Sequence, residues 1–212
     1  MEISRIIDAH ADQPLPHQLL MSWLKDYKRP NDKVLGLKAR GFLVPLKKGL
    51  YIAGPSATEK KPDALIVANH LSGPSYVSVE TALSYHGLIP ERIYEISSMT
   101  TKASRTFKTA MGLFTYYRLP LPYYSFGLDM VRLSSNQYAI VASPEKALCD
   151  KIVSTSGLTL RSIRNAYDYL VDDMRMDESG LKDLDVGAIH GWLTDAPKRD
   201  SLLMVLKMIE QL

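Results

Sequence analysis

The chain has 212 residues, 46% of them apolar and 23% charged, a balance that permits a buried core and excludes a disordered polyelectrolyte. Its single cysteine, Cys149, excludes an internal disulfide and any zinc site built on paired thiolates, so no metal, cofactor or redox chemistry is expected. The net charge of +3 is unevenly spread: residues 1–61 hold eleven Lys and Arg against six Asp and Glu, leaving fifteen against seventeen for residues 62–212.

A basic head on a mildly acidic body suits a nucleic-acid binder, because affinity for a polyanion comes from local cation density and counterion release. A solvated basic face without a ligand has the same pattern. The opening Met1-Glu2-Ile3-Ser4-Arg5 lacks the apolar stretch of a signal peptide and no apolar run reaches membrane-helix length, so a cytoplasmic protein that makes no membrane contact is expected.

In chain order, Ile3 to Pro14 do not spell out a regular helix. Leu19, Leu20, Trp23, Leu24 and Tyr27 recur at helical spacing behind Pro16, whose missing N–H costs nothing in a first turn; they predict one helix. After Tyr27-Lys28-Arg29-Pro30 a second helix of about ten residues is expected, with Asn31 as N-cap, Asp32 at its positive end and Gly41 as its stop. Val34 and Leu37 would face inward with Leu35 near them, while Lys33, Lys38 and Arg40 reach solvent. Residues 42–46 and 50–52 read as two strands joined across Lys47-Lys48-Gly49, a hairpin with two lysines at its tip. Helix, turn, helix and basic hairpin is the winged-helix order, assigned here to residues 1–54.

Residues 55–61, bracketed by Gly54, Pro55 and Pro62, read as a linker to a second domain over 62–212. That domain is expected to open with a helix over 62–71 and a second from Ser78 to a stop at Gly87. Strands follow over 92–100, 113–119, 125–133 and 137–142. Ser143-Pro144-Glu145 has the cap, N1 proline and early acid of a helix start, with Ala147, Leu148 and Ile152 on its buried face. Leu160, Ile163, Tyr167, Leu170, Val171 and Met174 predict an amphipathic helix, and Leu202, Leu206 and Ile209 a terminal one. The fold class is therefore α+β: a winged head, then a mixed, mostly antiparallel sheet with flanking helices and a helical C-terminus.

The candidate DNA-binding residues are Lys28, Arg29, Asn31, Lys33, Lys38 and Arg40 around the second helix, because the N-terminal part of a recognition helix reaches base edges. Arg pairs bidentately with guanine and Asn with adenine, whereas lysines mainly meet phosphate. Lys47 and Lys48 would grip the backbone or a minor groove from the hairpin tip. A second basic, hydroxyl-rich stretch, Thr101, Lys102, Arg105 and Lys108, reads as a loop able to hold phosphate or an acidic partner, or as a solvated connection.

Other groupings carry less. Glu145, Lys146 and Asp150 combine the acids and lysine of a metal-dependent nuclease, but Glu145 suits the helix dipole and Asp150, five residues on, shares its face poorly. Cys149 is not placed by any motif beside His10, His17, His70, His86 or His190, and a buried thiol explains it. Glu80 and His86 are not at metal-ligand spacing. Trp23, Trp192 and most tyrosines suit a core, with exposed tyrosines suiting a protein interface.

Three stretches resemble the AbiEi antitoxin family of bacterial toxin–antitoxin operons over residues from Tyr27 to Val153. They are Asn31-Asp32-Lys33-Val34 with Leu37 and the run from Gly41 through Gly49-Leu50-Tyr51-Ile52; the run from Ser75 to Pro90 containing Ser84-Tyr85-His86-Gly87; and Ala142-Ser143-Pro144-Glu145-Lys146-Ala147-Leu148-Cys149-Asp150. The resemblance implies a regulator that represses its own two-gene operon by binding double-stranded DNA at its promoter, and whose body counteracts a nucleotidyltransferase-like toxin; the oligomeric state on DNA stays open. Two alternatives stay open: a winged-helix head that binds protein instead of DNA, and a nuclease-like enzyme.

Overall fold

A computed structural model describes residues 3–91, 93–134 and 137–212. The head consists of α1 (Ile3–Ala9), β1 (Leu15–Pro16), α2 (His17–Trp23), α3 (Pro30–Ala39), β2 (Leu43–Lys47) and β3 (Leu50–Ala53). Its three strands form one antiparallel sheet in the order β1-β3-β2. The first helix corrects the sequence expectation: Ile3 and Ile7, one turn apart, are both buried and give α1 an inward stripe in spite of its short length. The next helix ends earlier than expected, with Leu24 as C-cap and Tyr27 left exposed. In α3 the proline takes the first-turn position, so Arg29 and not Asn31 is the capping residue, and no side chain makes the cap bond.

Gly41 ends α3 with φ of +74°, where a side chain is disfavoured. Gly54, leaving β3, crosses directly over it: Gly54 N donates to Phe42 O at 2.9 Å and Ser56 N to Gly41 O at 3.1 Å. A Cβ at Gly54 would collide with the Gly41 carbonyl.

The body begins at α4 (Ala64–Leu71), capped by Asp63, whose carboxylate accepts from Leu65 N at 2.8 Å. It continues through β4 (Ser75–Val77), α5 (Val79–Tyr85), β5 (Glu95–Thr100), β6 (Arg105–Thr109), β7 (Gly112–Arg118), β8 (Leu128–Arg132), β9 (Tyr138–Ala142) and α6 (Pro144–Ser154). These strands build one sheet, β6-β7-β5-β4-β9-β8, in which β5/β7 and β4/β9 are parallel and the other three neighbours antiparallel. Arg92, the expected start of the first body strand, lies outside the described residues.

The helical tail comprises α7 (Ile163–Tyr167), which widens into a π-helical turn over Asp168–Asp173, then α8 (Glu178–Lys182), α9 (Val186–Trp192) and α10 (Arg199–Ile209). No helix among the described residues is long and apolar enough to cross a membrane. The molecule is a mixed α+β protein.

Two apolar cores meet at the hairpin. Leu43, Tyr51 and Ala53 pack with Ile7, Leu20, Leu24, Val34 and Leu37 in the head, whereas Leu46, Leu50 and Ile52 belong to the core of the body. Every residue of β3 is buried, which a strand achieves only when both faces are covered. The hairpin is thus clamped between the two parts and does not project as a free arm.

Candidate nucleic-acid interface

On a helix with 3.6 residues per turn, Val34 and Leu37 define the buried side of α3. The opposite, outermost side carries Asp32, Leu35, Gly36 and Ala39, and Leu35 is 59% exposed. Lys33 and Lys38, five residues apart, lie about 140° apart on the wheel and occupy opposite flanks. Lys33 and Arg40 share one flank, lining a small cleft with Ser4, Tyr27 and Phe42. There the Lys33 ammonium stands 5.1 Å from the Tyr27 ring centroid and the Arg40 guanidinium 5.5 Å from that of Phe42. Arg40 Nε also donates to Gly36 O at 3.1 Å.

Cations gather openly at the helix entrance, with Asp26 exposed among them. Lys25, Lys28, Arg29 and Asn31 are all exposed, at the end of α3 that carries free N–H groups and the positive pole of the helix dipole. Arg29 pairs with Asp32 at 3.8 Å, but both side chains are largely solvated and such a pair is weak.

The hairpin lysines differ from expectation. Lys48 is exposed at the turn, but Lys47 is the last residue of β2, and its ammonium is turned inward, donating to Leu71 O at the end of α4 at 2.6 Å. Burial, with the charges of Lys102 and Arg105, lowers the Lys47 pKa. The second basic stretch is likewise not a loop. Arg105, Thr106 and Lys108 lie in β6, an edge strand paired with β7, and only Thr101 and Lys102 fall in the connection before it. Because strand side chains alternate, Arg105 shares the Phe107 face while Lys108 points to the other side. Lys47 and the stretch around Lys102 lie far apart in the sequence; β2 packs against β6 and brings them together. Phe107 between Arg105 and Thr109, followed by the short turn Ala110-Met111 that leads to Gly112 at the start of β7, is the local signal for that strand.

The nuclease-like constellation is closed. Lys146 and Asp150 are wholly buried and paired at 2.9 Å, so neither can hold a solvated metal or meet a polymer substrate. Asp150 accepts hydrogen bonds from Tyr76 Oη and Ser78 Oγ, both at 2.8 Å, and Lys146 Nζ donates to Tyr123 O at 2.9 Å and stands 3.3 Å from the Tyr123 ring centroid. Burial lowers the lysine pKa and raises that of the aspartate, each opposed by the partner's charge. Glu145 faces elsewhere, accepting from Ser143 Oγ at 2.7 Å and Asp185 N at 3.1 Å. Among the described residues no three His, Cys, Asp or Glu side chains are grouped to hold a metal. Cys149 is buried, its thiol pushed up to about 12 mainly by desolvation. Glu80 pairs with Lys151, and His86 Nε2 donates to Ala142 O at 2.8 Å.

The chain is thus an α+β protein whose basic helical head is seated on a mixed-sheet body through a shared hairpin. A solved structure that it resembles is that of the RV2827C protein from Mycobacterium tuberculosis: 14% identical in sequence, with a TM-score of 0.60 over 97% of this chain and 76% of that one. At that identity the likeness concerns the fold alone. No protein-family model and no curated protein matches the chain.

Proposed function

We propose that this protein is a cytoplasmic DNA-binding regulator that represses its own promoter, with a winged-helix head entering the major groove and a body that counteracts a nucleotidyltransferase-like toxin. The observation that carries the DNA reading is the exposed cluster Lys25, Lys28, Arg29 and Asn31 at the N-terminus of α3, in a head with the element order α1-β1-α2-α3-β2-β3. Arg29 and Asn31 supply base readout; Lys25, Lys28 and Lys48 supply phosphate contacts. Small Gly36 and Ala39 on the outer side of α3 permit close approach, with Leu35 available to a thymine methyl. Lys33, Lys38 and Arg40 act from the flanks. The hairpin contributes less than a free wing would, because its faces are occupied.

The antitoxin half of the proposal rests on the motif resemblance alone. Its test is co-expression: the full chain should restore growth to cells producing a nucleotidyltransferase-like toxin encoded beside it, and unrelieved toxicity contradicts it. For DNA, band shifts on the protein's own upstream sequence should weaken at least about tenfold when Lys28, Arg29 and Asn31 are all made alanine, the scale of one or two lost base contacts. Unchanged affinity removes the proposal.

A head that binds protein is favoured by one observation: Leu35 is 59% exposed beside Asp32 on the outermost side of α3. That reading requires DNA binding to be absent or to lack salt dependence.

A further inference from the structure

Lys47 at the end of β2, Lys102 in the connection before β6 and Arg105 at the start of β6 come together where β2 of the hairpin packs on β6 of the body. The Lys47 ammonium donates to Leu71 O at 2.6 Å, and the Lys102 ammonium donates to Gly73 O, two residues further along the segment that leaves α4. Each such bond uses one of three ammonium N–H groups, so donors remain. Arg105 is exposed, its guanidinium 5.5 Å from the Phe107 ring centroid. Among the described residues, the five ion pairs all lie elsewhere, and no carboxylate pairs with any of the three cations. The carbonyl end of a helix carries about half a negative charge, which leaves three cations far from neutralised. Their mutual repulsion is felt at Lys47, whose pKa Lys102 and Arg105 both lower. A fold that gathers like charges without an acid leaves a place for an anion.

We propose that Lys47, Lys102 and Arg105 form a phosphate-binding site at the head–body seam, filled by a nucleic-acid backbone phosphate or by a free phosphorylated compound. The planar guanidinium supplies paired donors to two phosphate oxygens and the lysines act as point charges beside it. A bound phosphate bridges β2 of the head to the body and offsets the repulsion between them. The site is separate from the α3 entrance and stands whether or not the head reads DNA.

The test is calorimetric titration of the full chain with inorganic triphosphate, run beside the salt dependence of duplex binding, for wild type and for Lys102→Ala/Arg105→Ala. Both positions are exposed, so the variant should fold, with a cooperative thermal melt that checks this. The variant should bind triphosphate at least about tenfold more weakly than wild type. A duplex salt slope shallower by about two in the variant assigns the phosphate to nucleic acid. Loss of triphosphate binding with the slope unchanged assigns it to a free compound. Equal triphosphate binding, or none in either protein, together with unchanged duplex binding, overturns the proposal.

Discussion

Lys146 and Asp150 face each other one turn apart on α6, 2.9 Å between Nζ and Oδ1, with neither side chain exposed. Two charges are tolerated there because they neutralise each other and because Tyr76, Ser78 and the Tyr123 carbonyl satisfy the remaining polar atoms. Removing one partner strands the other. Lys146→Met and Asp150→Ala should each cost about 3–5 kcal/mol in urea denaturation. The double variant Lys146→Met/Asp150→Leu should cost clearly less than the sum of the two, because no charge is left unpaired. Additive losses would show that the pair is not coupled.

Cys149 sits beside that pair and is 1% exposed. Its thiol should resist alkylation at pH 8 for as long as the chain stays folded, with labelling rates that follow the unfolded fraction in urea. The thiol pKa is raised to about 12 from 9.0, so the folded chain holds this proton more tightly than the unfolded one. Its contribution to stability is therefore full below pH 9.0 and is lost as pH rises toward about 12. Cys149→Ala should remove that alkaline component, and rapid labelling of native protein would contradict the burial.

Gly54 passes over the Gly41 carbonyl with no room for a side chain. Gly54→Ala should lower stability by about 1–3 kcal/mol, the scale of an overpacked contact, although alanine restricts the unfolded chain. The loss should appear in thermal melts of the full chain; a neutral result would mean that the crossing of α3 and β3 is loose.

Lys47 carries the opposite pH sign. Its pKa is lowered from 10.5 by burial, Lys102 and Arg105, so between that lowered value and 10.5 the unfolded chain holds more protons. Stability from this group rises with pH across that window. Lys47→Met should flatten that rise and reduce the gain in melting temperature produced by added phosphate. Equal responses in wild type and variant would show that the ammonium is not repelled as placed.

Much of this architecture could be read from local signals with a direct physical cause. Gly41 at positive φ, the Ser143 cap of α6, the Gly49 turn and the apolar stripe of α10 each fix one backbone choice irrespective of the rest of the chain. The elements that escaped depend on partners. The bulk of β4 is three residues and pairs with β5 and β9; β6 exists because β7 returns beside it. The burial of Lys146 and Asp150 was equally hidden, since a lysine and an aspartate at i and i+4 look the same on a solvated helix. The seam site needed the packing of β2 on β6, a contact between residues over fifty positions apart. For the candidate interface, the sequence identified the basic entrance of α3 but not that its outer side carries Asp32 and Leu35.

If the exposed cations at the entrance of α3 meet DNA phosphates and bases, the salt dependence of binding to the upstream duplex must report it. Wild type should lose affinity linearly in log–log coordinates, and Lys25→Ala/Lys28→Ala should make the slope shallower by about two while weakening all sequences alike. Arg29→Ala/Asn31→Ala should instead reduce the preference for the upstream sequence over unrelated DNA. Binding without salt dependence, or slopes and preferences identical in all three proteins, contradicts the account.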